Sequence, residues 1–328
     1  MNKKQLSAVL RICVATALLA LLLVNIDLGE LAASFAQVSL LTWCLCLALN
    51  LFSVYISSVK LAVLLRALGI IIPVGPTFRI YLVGIFWGNF LPGTVGGDVV
   101  KFAFLQRYAA SRADVAVALI AERFLGLLAV MQIASIGVLV YRDFLNNGWL
   151  VWGTLLINLV TLGLVAVVYL LRWKTTTASE APISKVKHLL KRLATALHTL
   201  RENPRALIIG LFISFAFVFN VVLITQLFAL DLNQEIGLFH LATMVALIQL
   251  ITMLPISLNG IGVREWAHIY LLGLYGVAPE PAVAISLLIY FIVLAVSLVG
   301  GLFFFFGAYG APPTSDASLT DPKSSDLK

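Results

Sequence analysis

Charged side chains are scarce in this sequence. They make up 11% of its 328 residues, while 61% are hydrophobic and the mean hydropathy is +1.04. A soluble domain carries about 25% charged residues, so the chain lacks the polar surface that a water-soluble fold of this length needs. Long hydrophilic stretches are missing too. None exceeds about 30 residues, which excludes an independent soluble catalytic domain among them. Cysteine is confined to Cys13, Cys44 and Cys46, each inside an apolar run, where a small hydrophobe is its ordinary role. No Cys/His spacing points to zinc, and no disulfide is expected. The sequence has no phosphate-binding Gly-Lys-Ser/Thr loop, no His-Glu-x-x-His and no nucleophile elbow. It is therefore read as a non-enzyme without cofactor, metal or catalytic residue. The net charge of +7 does not imply nucleic acid, because its basic residues sit between apolar segments.

What the sequence has in abundance is apolar runs long enough to cross roughly 30 Å of hydrocarbon. Six full crossings are predicted, near 6–24, 38–59, 116–140, 149–171, 206–230 and 282–306. The first follows Lys3, Lys4 and Arg11 without a small-x-small cleavage site directly behind it, and is read as a retained helix. Two further apolar stretches, 77–108 and 240–275, are interrupted by Leu91-Pro92-Gly93-Thr94-Val95-Gly96-Gly97-Asp98 and by Leu254-Pro255-Ile256-Ser257-Leu258-Asn259-Gly260-Ile261-Gly262. Proline and clustered glycine release backbone hydrogen bonds that lipid cannot satisfy, so re-entrant helical hairpins are predicted.

The two breaks match each other at an offset of 163 residues. Pro92 aligns with Pro255, Thr94 with Ser257, Gly97 with Gly260, Val100 with Val263 and Lys101 with Arg264. Charge supplies an independent test. With Lys3, Lys4 and Arg11 in the cytoplasm, Lys60, Arg66, Arg79, Lys101, Arg107, Arg112 and the basic stretch 172–205 fall on the same side. The far side receives Asp27, Glu30, Asp143, Asp231, Glu235 and Glu280, with Arg142 and Arg264 as its cations. Three crossings separate the hairpins, which then open to opposite faces. The fold class expected is an all-α integral membrane protein of inverted-repeat architecture. Its first repeat is 1–172 and its second 173–310, with both termini cytoplasmic. Residues 183–202 place Ile183, Val186, Leu190, Leu193, Leu197 and Leu200 at helical spacing opposite Lys185, Lys187, Lys191 and Arg192. That pattern suits an amphipathic helix, lying either on the anionic leaflet or against the protein. The tail 311–328 is rich in Pro, Ser, Thr and Asp and is expected to be disordered.

Ionisable groups inside a bilayer cost on the order of 2.5–3.5 kcal/mol each on insertion scales, so those present are the functional candidates. They are Asp98 and Lys101 after the first break, Glu122 and Arg123 in the third crossing, and Arg264 and Glu265 after the second break. Neighbours on a helix point about 100° apart, so Glu122 and Arg123 need other partners, and the hairpin charges are available. Helices restart near Asp98 and near Val263, presenting free N–H groups beside a cation, which suits a lipid phosphate. Gly97 and Gly260 allow close backbone approach, and Asn89, Thr94, Ser257 and Asn259 add hydrogen-bonding groups. Simpler roles stand beside these: Asp98 as an N-cap, Glu122 and Arg123 as helix locks, His268 as a packed histidine, and the six tryptophans as interface anchors.

Three of these segments resemble one family. Gly88 to Lys101, Ala121-Glu122-Arg123 followed by Gly126, and Leu254 to Glu265 are similar, in order and spacing, to hallmarks of the flippase-like membrane domain of lysylphosphatidylglycerol synthases. The resemblance spans nearly the whole chain apart from the tail. It implies a bacterial inner-membrane protein that moves an anionic or aminoacylated lipid between leaflets. The cytoplasmic aminoacyl-transferase domain of the full-length synthases has no counterpart in this sequence. Membrane lipids are the expected partners, together with a lipid- or glycan-synthesising enzyme. The alternatives are a membrane subunit of a lipid-modifying transferase and a scaffold for envelope synthesis.

Overall fold

The computed structural model describes residues 27–90, 96–141, 148–170, 193, 195–253 and 260–307. Among them the regular structure is entirely helical. The expected first crossing and the tail lie outside the described residues. Among the described residues, four helices are long and apolar enough to cross a membrane: α2 (Leu40–Ala67), α5 (Arg112–Val140), α7 (Pro204–Asp231) and α10 (Pro279–Phe305). A further apolar helix, α6 (Gly148–Leu170), occupies the predicted fourth crossing. α1 (Leu28–Gln37) was not anticipated. Asp27 caps it by accepting from the Gly29 and Glu30 amides at 2.7 and 3.2 Å.

Both interrupted stretches form pairs of shorter helices. The first pair is α3 (Val74–Phe90) with α4 (Gly96–Leu105), and the second α8 (Leu238–Met253) with α9 (Val263–Gly273). Within the first, Gly84 and Gly88 of α3 face Gly97 of α4. A Cβ on Gly97 would stand 2.5 Å from the Gly84 carbonyl oxygen, so the two backbones touch. Small residues four apart allow this close approach in the absence of a hydrophobic driving force between helices.

The elements repeat at one spacing. Adding 163 to the bounds of α2, α3 and α5 lands within four residues of those of α7, α8 and α10. Packing obeys the same exchange. α2 lies against its counterpart α7, α3 packs on α10, and α8 packs on α5. The α2–α7 pair is antiparallel: Trp43 meets Phe228, Ser53 donates to Asn220 Oδ1 at 2.9 Å, and Lys60 meets Ser214. The Ser39 amide at the start of α2 donates to Asp231 at the end of α7 at 2.8 Å. Two glycines 163 residues apart mark the other crossings. A Cβ at Gly300 of α10 would strike the Leu82 carbonyl of α3, and one at Gly137 of α5 would strike the Thr243 side chain of α8.

The described end of the amphipathic stretch packs on the protein. Ala196 and Leu200 are buried in a cluster with Leu61, Leu64 and Val115, and Leu193 and Leu197 pack against it. The large apolar residues left exposed, such as Trp152, Leu159 and Phe212, lie on apolar helices, a surface suited to hydrocarbon as solvent.

Candidate functional site

The first hairpin brings its charges to α5. Asp98 is the third residue of α4, and Lys101 follows one turn later, so the two pair at 2.8 Å. Both side chains need space, and glycine supplies it: a Cβ at Gly84 would lie 2.6 Å from Lys101 Cγ. The Lys101 ammonium then sits 3.4 Å from Glu122 Oε2 and 4.1 Å from the centre of the Tyr81 ring. Tyr81 donates to the other Glu122 oxygen at 2.8 Å. Arg123 pairs with the second oxygen of Asp98. Glu122 and Arg123 thus take separate hairpin partners, and Asp98 spends its oxygens on two cations.

Lys60 belongs to the same group, which corrects its expected place just beyond a crossing that ends at residue 59. The crossing predicted to end at residue 59 continues to Ala67, so Lys60 lies about 10 Å inside the helix end at 1.5 Å per residue. It is 6% exposed. Its ammonium donates to the Glu122 carbonyl and to Ser214 Oγ, each at 3.3 Å. Its stem passes Gly210 of α7, and its ammonium faces Gly126, one turn after Glu122. Lys60, Tyr81 and Ser214 were missed as site residues. A signal existed: Ser53, Ser57 and Lys60 are buried at spacings of four and three, a polar stripe on an apolar helix.

The second hairpin builds a smaller group. Gly260 and Gly262 have φ of 78° and 83°, left-handed values that favour glycine in the turn entering α9. Glu265 Oε2 accepts from the Gly262 amide at 2.6 Å, satisfying a free N–H of the helix start. Its other oxygen pairs with Arg264 at 2.8 Å. Arg264 also donates to Ser286 of α10 at 3.1 Å and lies 4.7 Å from the Tyr290 ring centre. His268 is buried with Nδ1 2.8 Å from the Arg264 carbonyl, a packed histidine. Asn89 stands apart from both groups, donating to Ser297 of α10 at 2.9 Å. Thr94, Ser257 and Asn259 lie outside the described residues.

Long apolar helices enclosing a network of buried charge on a broken helical hairpin define an integral membrane protein with a polar interior. The family described as the lysylphosphatidylglycerol synthase TM region matches residues 8–301, and the chain belongs to that family. No match was found among curated proteins or among solved structures.

Proposed function

We propose that this protein is a lipid flippase of the bacterial inner membrane, with both termini cytoplasmic, moving lipids of anionic or aminoacylated head group between leaflets. The observation that carries the reading is the duplicated broken hairpin: each copy brings buried charge against a long crossing. The 163-residue register, the antiparallel α2–α7 pair and the exchanged packing of α3 on α10 and α8 on α5 support an inverted repeat. Under the positive-inside orientation, Lys60 lies about 10 Å from the cytoplasmic end of α2, and Ser286 about 10 Å from the opposite face on α10. The two polar groups thus serve opposite leaflets, as alternating exposure requires. Asp98, Lys101, Glu122 and Arg123 form the cytoplasmic-side head-group site, and Arg264 and Glu265 the other. The lipid's own concentration difference or an ion gradient supplies the driving force.

Purified protein in liposomes carrying fluorescent lipids tests this directly. Leaflet exchange by the protein alone is the expected result. Intact, correctly oriented protein that exchanges no lipid would instead favour a transferase subunit or a scaffold.

A further inference from the structure

The charges of the first group alternate and do not cancel. Arg123, Asp98, Lys101 and Glu122 follow one another inward, with side-chain exposure falling from 43% to 12%, 8% and 4%. Lys60 ends the series, and it makes no ion pair among the described residues. Its two oxygen partners are neutral, and Ser214 already donates its own proton to the Gly210 carbonyl at 2.8 Å. An ammonium has three N–H donors, so one remains for a ligand. No side chain stands between Nζ and the backbone at Gly126, where an added Cβ would lie 3.9 Å from it. Among the described residues, three cations of this group face two carboxylates. In the second group one cation, Arg264, faces one carboxylate, Glu265.

We propose that Lys60 is an anion-binding residue. It receives the phosphodiester of a lipid whose head group carries a net charge of −1, and it sets a preference for such lipids over aminoacylated, net-cationic ones. The proposal rests on the lipid-carrier reading for the identity of the ligand. A buried excess of one charge is costly, and a monoanion brings this group of described residues to neutrality. A lysyl-ester head group, with one phosphate and two ammonium groups, would instead raise its excess positive charge from one to two. The diester chemistry is shared by lipids and by soluble glycerophosphodiesters, so both enter the test.

Delipidated full-length protein is mixed with dioleoyl phosphatidylglycerol, phosphatidylethanolamine or lysylphosphatidylglycerol, and bound lipid is counted by native mass spectrometry. Wild type is expected to retain phosphatidylglycerol about tenfold better than the lysyl lipid, a difference of about 1.4 kcal/mol. Lys60→Met keeps the stem and should lose that preference, whereas Lys60→Arg should keep it. Equal preference in wild type and a folded Lys60→Met, judged by thermal melt, overturns the proposal. If Lys60→Met does not fold, the wild-type competition decides: absence of a preference for phosphatidylglycerol overturns it. Displacement of the lipid by equimolar glycerophosphoglycerol would overturn the lipid assignment. Binding is read without transport, so selective binding without leaflet exchange would sink the flippase reading and leave this one standing.

Discussion

Replacing Gly300 with alanine should separate α3 from α10, and the size of the effect follows from what the new methyl meets. At Gly300 it meets the Leu82 carbonyl and the Val83 nitrogen, backbone atoms that no rotamer change can move. Overpacking costs about 1–3 kcal/mol, and a backbone obstacle puts this site at the top of that range. Parting the helices also weakens the Asn89–Ser297 hydrogen bond, worth about 1 kcal/mol. Alanine's helix preference over glycine returns about 1 kcal/mol. The net loss is about 3 kcal/mol. At Gly137 the obstacle is the Thr243 side chain, whose rotation can move Oγ1 and Cγ2 but not Cβ at 2.6 Å, so Gly137→Ala should also destabilise, by about 1–2 kcal/mol. At Gly153 nothing lies within 4 Å, and alanine should stabilise by about 0.8–1 kcal/mol. Unfolding in mixed micelles with rising sodium dodecyl sulfate ranks the three. A Gly300→Ala protein as stable as Gly153→Ala would refute the close crossing and the register built on it.

Glu122→Gln should destabilise the protein by about 3 kcal/mol in the same titration, the low end for breaking a buried pair because Lys101 keeps Asp98; an unchanged midpoint would show that Glu122 is not a lock. Lys101→Gln and Arg264→Gln should each abolish lipid exchange when equal amounts of folded protein are reconstituted in liposomes, Lys101→Gln with a loss of stability as well because it bridges two carboxylates, and normal exchange by the double variant removes the head-group role from both. Val95→Cys and Leu258→Cys, in a background lacking Cys13, Cys44 and Cys46, should label from opposite faces. Labelling of both from one face contradicts the inverted repeat.

The helical pattern was legible where chain chemistry is strong. Proline and paired glycine located both hairpins, and the expense of intramembrane charge pointed Glu122 and Arg123 to the hairpin charges, without telling which hairpin supplies them. Lys60 was misplaced because a hydropathy window stops at the first charge, whereas Leu61, Leu64 and Leu65 carry the apolar face of α2 onward and are fully buried. α1 was missed because a ten-residue helix depends on its Asp27 cap and on packing, not on length. The kinship of Gly137 and Gly300 was hidden for another reason. Glycine is common in membrane helices, and only the crossing partners Thr243 and Leu82 distinguish these two from the rest.

The exchanged packing of hairpin and crossing has a consequence for biosynthesis. α3 is complete at Phe90, but its partner α10 ends at Phe305, 215 residues later. At about 5–20 residues per second of synthesis, the Leu82 surface waits roughly 10–40 s for Gly300 to arrive. Throughout that interval the first hairpin and its ion pairs sit in the membrane without their final neighbour. The nascent chain is most vulnerable then, and insertion factors that shield polar hairpins have their window. Truncation before α10 should accordingly yield a product degraded far faster than the full chain.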